Sequence, residues 1–263
     1  MSDQSLSRRE FIASGVAAVG AVLGTQSASA DIWSDEGGSW AASHITHVGD
    51  DAAELEKYQP RLVTLPEDRQ RMIGIYGWYA DSDRYNTRAY NYWMKYSHQD
   101  SLTDRIPFLG SLFAEDAHLG DHEPFTALVD SETGAVQEVL YSGYHHYASV
   151  LAAENAHLSA EAVEGKETHT PLEVVTPHHH YRLAGTDDGV LASNTTSMES
   201  FLDAFPVWDD DGVWASTDRR TVADPWRVRD TGTWWDKSTL DYQFARIQLF
   251  LAWRDEHDNL VGV

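Results

Sequence analysis

The chain of 263 residues contains no cysteine, which removes disulfides, thiolate metal sites and a cysteine nucleophile together. Lysine is scarce: of the 19 basic residues only Lys57, Lys95, Lys166 and Lys237 are lysine, against 42 acidic residues and a formal net charge of −23. With no basic face to neutralise phosphates, nucleic acid is not an expected partner. Evenly spread acid with little lysine is the composition of a protein adapted to molar salt, where the screening length falls to about 3 Å and self-repulsion fades. The sequence therefore reads as that of an extreme halophile. It holds no Gly-x-Ser-x-Gly elbow, Walker loop, dinucleotide glycine pattern or His-Glu-x-x-His, so the common hydrolase, nucleotide-binding and zinc-protease readings have no support.

At the start, Ser7-Arg8-Arg9-Glu10-Phe11-Ile12 reads as a twin-arginine signal. An apolar run from Ala13 to Leu23 and the small-residue phrase Ala28-Ser29-Ala30 follow it. The run falls short of the about 20 residues that span a bilayer. Cleavage after Ala30 is therefore expected, with a mature chain starting at Asp31, no transmembrane segment, and a secreted or cell-surface location. The single sequon Asn194-Thr195-Thr196 is compatible with export.

The hydrophobic fraction of 42%, with 11% aromatic residues, is ample for a buried core. Short aromatic and aliphatic runs recur between Gly, Pro and Asp turns. Met72–Tyr79 and Tyr90–Tyr96 read as strands joined through the polar turn at Asp81–Arg84, with Tyr90, Tyr92 and Tyr96 packing on one side. Phe125–Val129 and Val136–Tyr144 read as a hairpin across the turn Asp130–Gly134, and Leu172–Val175 as a further strand. Short helices are expected at Asp51–Tyr58 and Ser197–Phe205, a longer one at Ala148–Ala162, and a last one at Thr239–Glu256, whose Leu240, Phe244, Ile247 and Leu251 recur at helical spacing. The fold class is thus mainly β, a β-sandwich core with added helices, α+β overall. The expected division is a signal at 1–30, a loose entry at 31–65, the sandwich at 66–187 and a loop- and Trp-rich extension at 188–263, with Trp226, Trp234 and their neighbours stapling loops to the core.

The chemistry concentrates in Asp116–Asp130, around His118-x-x-Asp121-x-Glu123. From Pro124 the chain is apolar and β-prone, so Asp121 and Glu123 stand at the mouth of a strand, two apart and on one face. His118 lies in the preceding turn. An imidazole with two carboxylates makes a first shell for a divalent cation; the bland alternative is a solvated acidic turn. His122 alternates to the other face. Of the run His178-His179-His180, at most one or two residues can face a single ion from an extended chain.

This phrase resembles the Gly-His-Arg-His-Asp-Trp-Glu signature of the necrosis-inducing (Nep-like) toxin family and the Gly-Asp-Trp-Glu phrase of the related vacuolar-protein-sorting-type family. His118, Asp121 and Glu123 fall on its metal-binding His, Asp and Glu. His122 stands where the family has tryptophan and Gly120 where it has a second histidine, so neither of those roles carries over. Tyr92–Asp100 is similar to the aromatic strand that ends in a further metal-binding aspartate, which makes Asp100 the fourth implied ligand. Val139–His145 and Pro171–His180 are similar to later phrases of the vacuolar type, which brings His145 and His180, with His122, into consideration as supporting or ligand-binding residues. The similar stretch runs from about Ile73 to Tyr181.

The resemblance implies a β-sandwich holding a divalent cation (Mg²⁺, Ca²⁺ or Mn²⁺, with Zn²⁺ admitted by the histidine) that binds a lipid head group or glycan. Two alternatives stand beside it: a metal-assisted hydrolase of a phosphoester or glycan in which His122 or His145 moves a proton, and a surface domain whose cation is purely structural. Turnover abolished by chelator marks the first alternative. Metal-dependent retention on lipids or glycans without turnover marks binding, and a metal that changes only the melting temperature marks the structural clip.

Overall fold

The computed structural model describes residues 42–98, 119–144, 147–176, 178–201, 204, 219–238, 240–250 and 260–261. Along them run β1 (Ile45–Gly49), α1 (Ala52–Leu55), β2 (Arg61–Val63), α2 (Pro66–Arg71), β3 (Met72–Ser82), β4 (Thr87–His98), β5 (Leu119–Asp130), β6 (Val136–Tyr144) and β7 (Tyr147–Ala152). They continue with β8 (Ser159–Val163), β9 (Lys166–His169), β10 (Pro171–Val174), β11 (Tyr181–Leu183), β12 (Val190–Leu191), β13 (Met198–Ser200), α3 (Arg219–Val222), α4 (Pro225–Thr231) and α5 (Leu240–Gln248).

The main sheet has the order β1-β3-β4-β5-β6-β7, every neighbour antiparallel, with β13 joining β3 in parallel. A smaller sheet, β11-β10-β2-β12, is hydrogen-bonded independently of the main one, and β8 with β9 forms a separate hairpin. The β4–β5 ladder runs without a bulge from Thr87↔Asp130 to His98↔Leu119. That regularity fixes which side each residue takes, because a slip of one position would exchange the two faces. At its far end Asp130 Oδ1 accepts from the backbone N–H groups of Glu132 and Thr133 and from the Thr133 hydroxyl, and Gly134 takes φ +71° to turn the chain into β6.

Alternation gives the main sheet two apolar faces. Tyr92, Met94, Tyr96, Phe125, Ala127 and Tyr141 pack with Leu62, Leu172, Val174 and Tyr181 of the smaller sheet, so the two sheets form a sandwich. On the opposite face Trp78, Trp93, Leu128 and Leu140 pack with Phe201, Val222, Trp226, Val228 and Trp234, which adds a helical layer. The expected mainly β sandwich with helices is what the chain forms. The tyrosine stripe is sheet packing, and Trp226 and Trp234 are buried staples. Among the described residues no helix is long and apolar enough to cross a membrane.

Four local expectations are corrected. The stretch 148–162 is not helical: β7 and β8 flank a single 3-10 turn at Ala153–Asn155. Its Ala and Leu content favours a helix in isolation, but the edge of β6 offers an open ladder, and pairing from Glu138↔Ala152 to Tyr144↔Tyr147 overrides propensity. Within the expected loose entry, residues 45–49 and 61–63 form strands, one in each sheet. Met198–Ser200, read as the start of a helix, is a strand along β3 before Phe201 and Ala204 turn helical. In α5 the buried side is Tyr242 and Ala245, continued by Leu249, whereas Leu240 and Ile247 are 76% and 53% exposed. The signal at 1–30 lies outside the described residues.

Candidate functional site

Asp121 and Glu123 stand on β5 opposite Tyr96 and Met94 of β4, on the face that looks into the sandwich. Both are buried, at 3% and 4% exposure. The strand reading therefore holds, and the solvated-turn alternative does not. His122 pairs with Lys95 and alternates to the other face, where it too is buried.

The smaller sheet closes over the two carboxylates through the β10–β11 connection. Val174 pairs with Tyr181, and the loop between them is held by Val175 N–H to His180 O (2.8 Å) and His179 N–H to Val175 O (2.9 Å). This bend places His179 at φ +58°, a left-handed conformation in which His is among the commoner non-glycine residues. Its ring is fully buried, stacks on Tyr96 at 4.1 Å and 9°, and brings Nδ1 to 2.8 Å from Asp121 Oδ2. On the other side Nε2 lies 3.4 Å from Asp68 Oδ1, a charge contact. Asp68, in the first turn of α2, is itself fully buried and accepts from the Thr176 hydroxyl at 2.5 Å. A bent loop thus does what an extended one cannot. His179 turns toward Asp121, while the His178 and His180 rings lie 6.3 Å apart at 20° and His180 meets Tyr144 edge-on at 5.3 Å.

The electrostatics follow from burial and neighbours. Burial raises the Glu123 carboxyl well above its ordinary range and the charge of Asp121 adds to that, against a smaller lowering from the Ser142 hydroxyl. Burial alone would lower His179, but the carboxylates of Asp121 and Asp68 outweigh it and raise it. Asp68 is lowered although burial opposes this, because the His179 ring faces it at 3.4 Å, the Thr176 hydroxyl donates to it and Arg71 adds charge. The His179 ring therefore links two acidic side chains, Asp121 and Asp68, whereas burial and the charge of Asp121 favour the neutral form of Glu123.

Of the four implied ligands, Asp121 and Glu123 are brought together; Asp100 and His118 lie outside the described residues, and so does His145. Among the described residues alone, no three His, Asp or Glu side chains form a group able to hold an ion. The residues nevertheless suit a hard cation: the donors are carboxylate oxygens, and Glu123 Oε2 is buried without a hydrogen bond. Sequence reasoning missed His179 and Asp68. The histidine run pointed to the first, without saying which ring turns inward. Nothing local marks Asp68, a helix residue 53 positions before Asp121.

No protein-family model matches this sequence, and no curated protein matches it. Among solved structures it is similar to NLPPya in complex with mannosamine, at 10% identity over 57% of this chain and 74% of that one, with a TM-score of 0.38. It is also similar to Necrosis and Ethylene inducing Protein 2 from the causal agent of cocoa's Witches Broom disease, at 15% identity over 74% of this chain and 98% of that one (TM-score 0.40). A third is the non-toxic HaNLP3 protein, at 9% identity over 61% of this chain and 80% of that one (TM-score 0.37). These are distant likenesses.

Proposed function

We propose that this is an exported, cation-dependent binding protein that holds a polar lipid head group or glycan at a divalent ion seated on Asp121 and Glu123. The observation that carries the reading is the buried carboxylate pair in which Glu123 Oε2 has no hydrogen bond. A buried carboxyl in that state is costly unless it takes a proton or a cation. Asp100 and His118 are the further ligands that the sequence resemblance implies. Waters would complete the shell and yield places to a sugar hydroxyl or phosphate.

The test uses the mature protein in high salt. Calcium and manganese titration by calorimetry, then retention on glycan arrays and lipid vesicles with and without chelator, should show ion binding and ion-dependent retention without turnover. Chelator-sensitive cleavage of a phosphoester or glycan panel would replace this reading with the metal-assisted hydrolase. An ion that only raises the melting temperature would replace it with the structural clip. Export is tested separately: Arg8→Lys with Arg9→Lys should leave precursor in the cytoplasm, and unchanged secretion would refute the twin-arginine address.

A further inference from the structure

We infer that His179, backed by Asp68, is a positioning residue of this site, aiming the Asp121 carboxylate at the ion from the opposite sheet. The inference rests on the cation reading above and extends it from one strand to three elements: β5, the β10–β11 loop and α2.

The geometry is specific. Asp121 Oδ2 is taken by His179 Nδ1 at 2.8 Å, which leaves Oδ1 for an ion. The ring cannot rotate away, since it is fully buried and stacked on Tyr96 at 4.1 Å. Its Nε2 faces Asp68 Oδ1 at 3.4 Å, and the other oxygen of Asp68 is tied to Thr176 at 2.5 Å, in the same loop that carries His179. Asp68 therefore holds both the ring and the loop. A core of similar shape could be built from apolar side chains at lower cost, because every buried charge must be desolvated. What a fixed imidazole supplies that an apolar side chain cannot is orientation of a ligand oxygen, and outer groups of this kind change metal affinity by roughly 10- to 100-fold when removed.

Two variants test it: Asp68→Asn, which keeps an acceptor for Thr176 but removes the charge facing Nε2, and His179→Asn, which tolerates the left-handed backbone. Each is compared with wild type and with Glu123→Gln by Ca²⁺ calorimetry, with thermal unfolding in EDTA as the folding control. The signature of positioning is the buried Nδ1–H of His179 in imidazole ¹H–¹⁵N spectra, which should shift on Ca²⁺ addition in wild type. We expect Asp68→Asn to displace that resonance and weaken Ca²⁺ binding by roughly tenfold or more, and His179→Asn to weaken it comparably. If His179→Asn does not fold, Asp68→Asn carries the test. Calcium affinity unchanged in Asp68→Asn, with binding lost in Glu123→Gln, overturns this inference alone. Wild-type protein that binds no Ca²⁺ overturns the cation reading and this inference with it.

Discussion

Asp121 and Glu123 lie two positions apart on one face of β5, and after burial itself the charge of Asp121 is what holds the Glu123 carboxyl well above its ordinary range. A carboxyl raised in the folded state contributes stability that is fully present below its unfolded value, here 4.5, and is lost as pH rises toward the folded value. In chelator, then, the protein should lose stability as pH climbs from about 4.5 to neutrality. Calcium should restore it, increasingly so at the higher pH.

Glu123→Gln removes the charge and keeps the shape. In EDTA at pH 7 it should be more stable than wild type by on the order of 1–3 kcal/mol, because the amide has no ionised form and escapes the pH-linked cost of burying a raised carboxyl. It should gain nothing from Ca²⁺. Urea unfolding at pH 5 and pH 7, with and without the ion, measures both quantities. A glutamine variant less stable than wild type in EDTA at pH 7 contradicts the assignment.

Asp121 and His122 are adjacent in sequence and opposed in space, which gives the sharpest contrast at the site. Removing Asp121 outright would strand a buried His179 ring beside Asp68, at about 3–5 kcal/mol for a broken buried pair, so Asp121→Asn is the cleaner change. It should weaken Mn²⁺ binding by roughly tenfold or more, since the ion loses an opposing charge. His122→Ala should leave affinity within about twofold, because its side chain faces the other way, while costing some stability through lost burial. Metal lost in His122→Ala but kept in Asp121→Asn reverses the faces of β5.

How much of this was legible depended on the distance over which the cause acts. The two-residue period of β5 and the Asp130–Gly134 turn are local, and they assign Asp121, Glu123 and His122 to their faces from sequence alone. The segment 148–162 misled, because Ala and Leu report isolated helix preference while the open edge of β6 decided the outcome. His179 and Asp68 were illegible for a related reason. Their roles come from a loop bend and a helix that meet β5 only once the second sheet has closed, and no sequence spacing encodes that meeting.

Trp226 ties the helical layer to the main sheet. Its Nε1–H donates to the Thr87 hydroxyl at 2.7 Å, its ring stacks on Tyr85 at 5.7 Å and 11°, and His44 meets it edge-on at 5.2 Å. His44 in turn contacts Ser82 and Asp224, so the first strand, the β3–β4 hairpin and the start of α4 converge there. Trp226→Phe should cost about 1–3 kcal/mol through the stranded, buried Thr87, and Trp226→Ala about 3–5 kcal/mol. Neither should alter Ca²⁺ affinity, since both act on the face away from Asp121. A change in affinity without a change in stability would contradict that separation.

The last helix can be read two ways from its sequence, and mutations distinguish them. Spacing alone selects Leu240, Phe244, Ile247 and Leu251 as the inward stripe. In the structure Tyr242, Ala245 and Leu249 pack instead with Tyr144 and Tyr147, while Leu240 and Ile247 face outward. Aromatic partners decide this. Tyr242 approaches Tyr147 at 5.2 Å between ring centres, and that large contact at the edge of the main sheet fixes the helix rotation. Leu240→Gln and Ile247→Gln should therefore change unfolding free energy by no more than about 0.5 kcal/mol, as for ordinary surface sites. Leu249→Ala should cost about 2–5 kcal/mol. Denaturant midpoints for the three variants at one salt concentration suffice to measure this. If Ile247→Gln costs as much as Leu249→Ala, the helix is rotated from the orientation described and the outward stripe is part of the core.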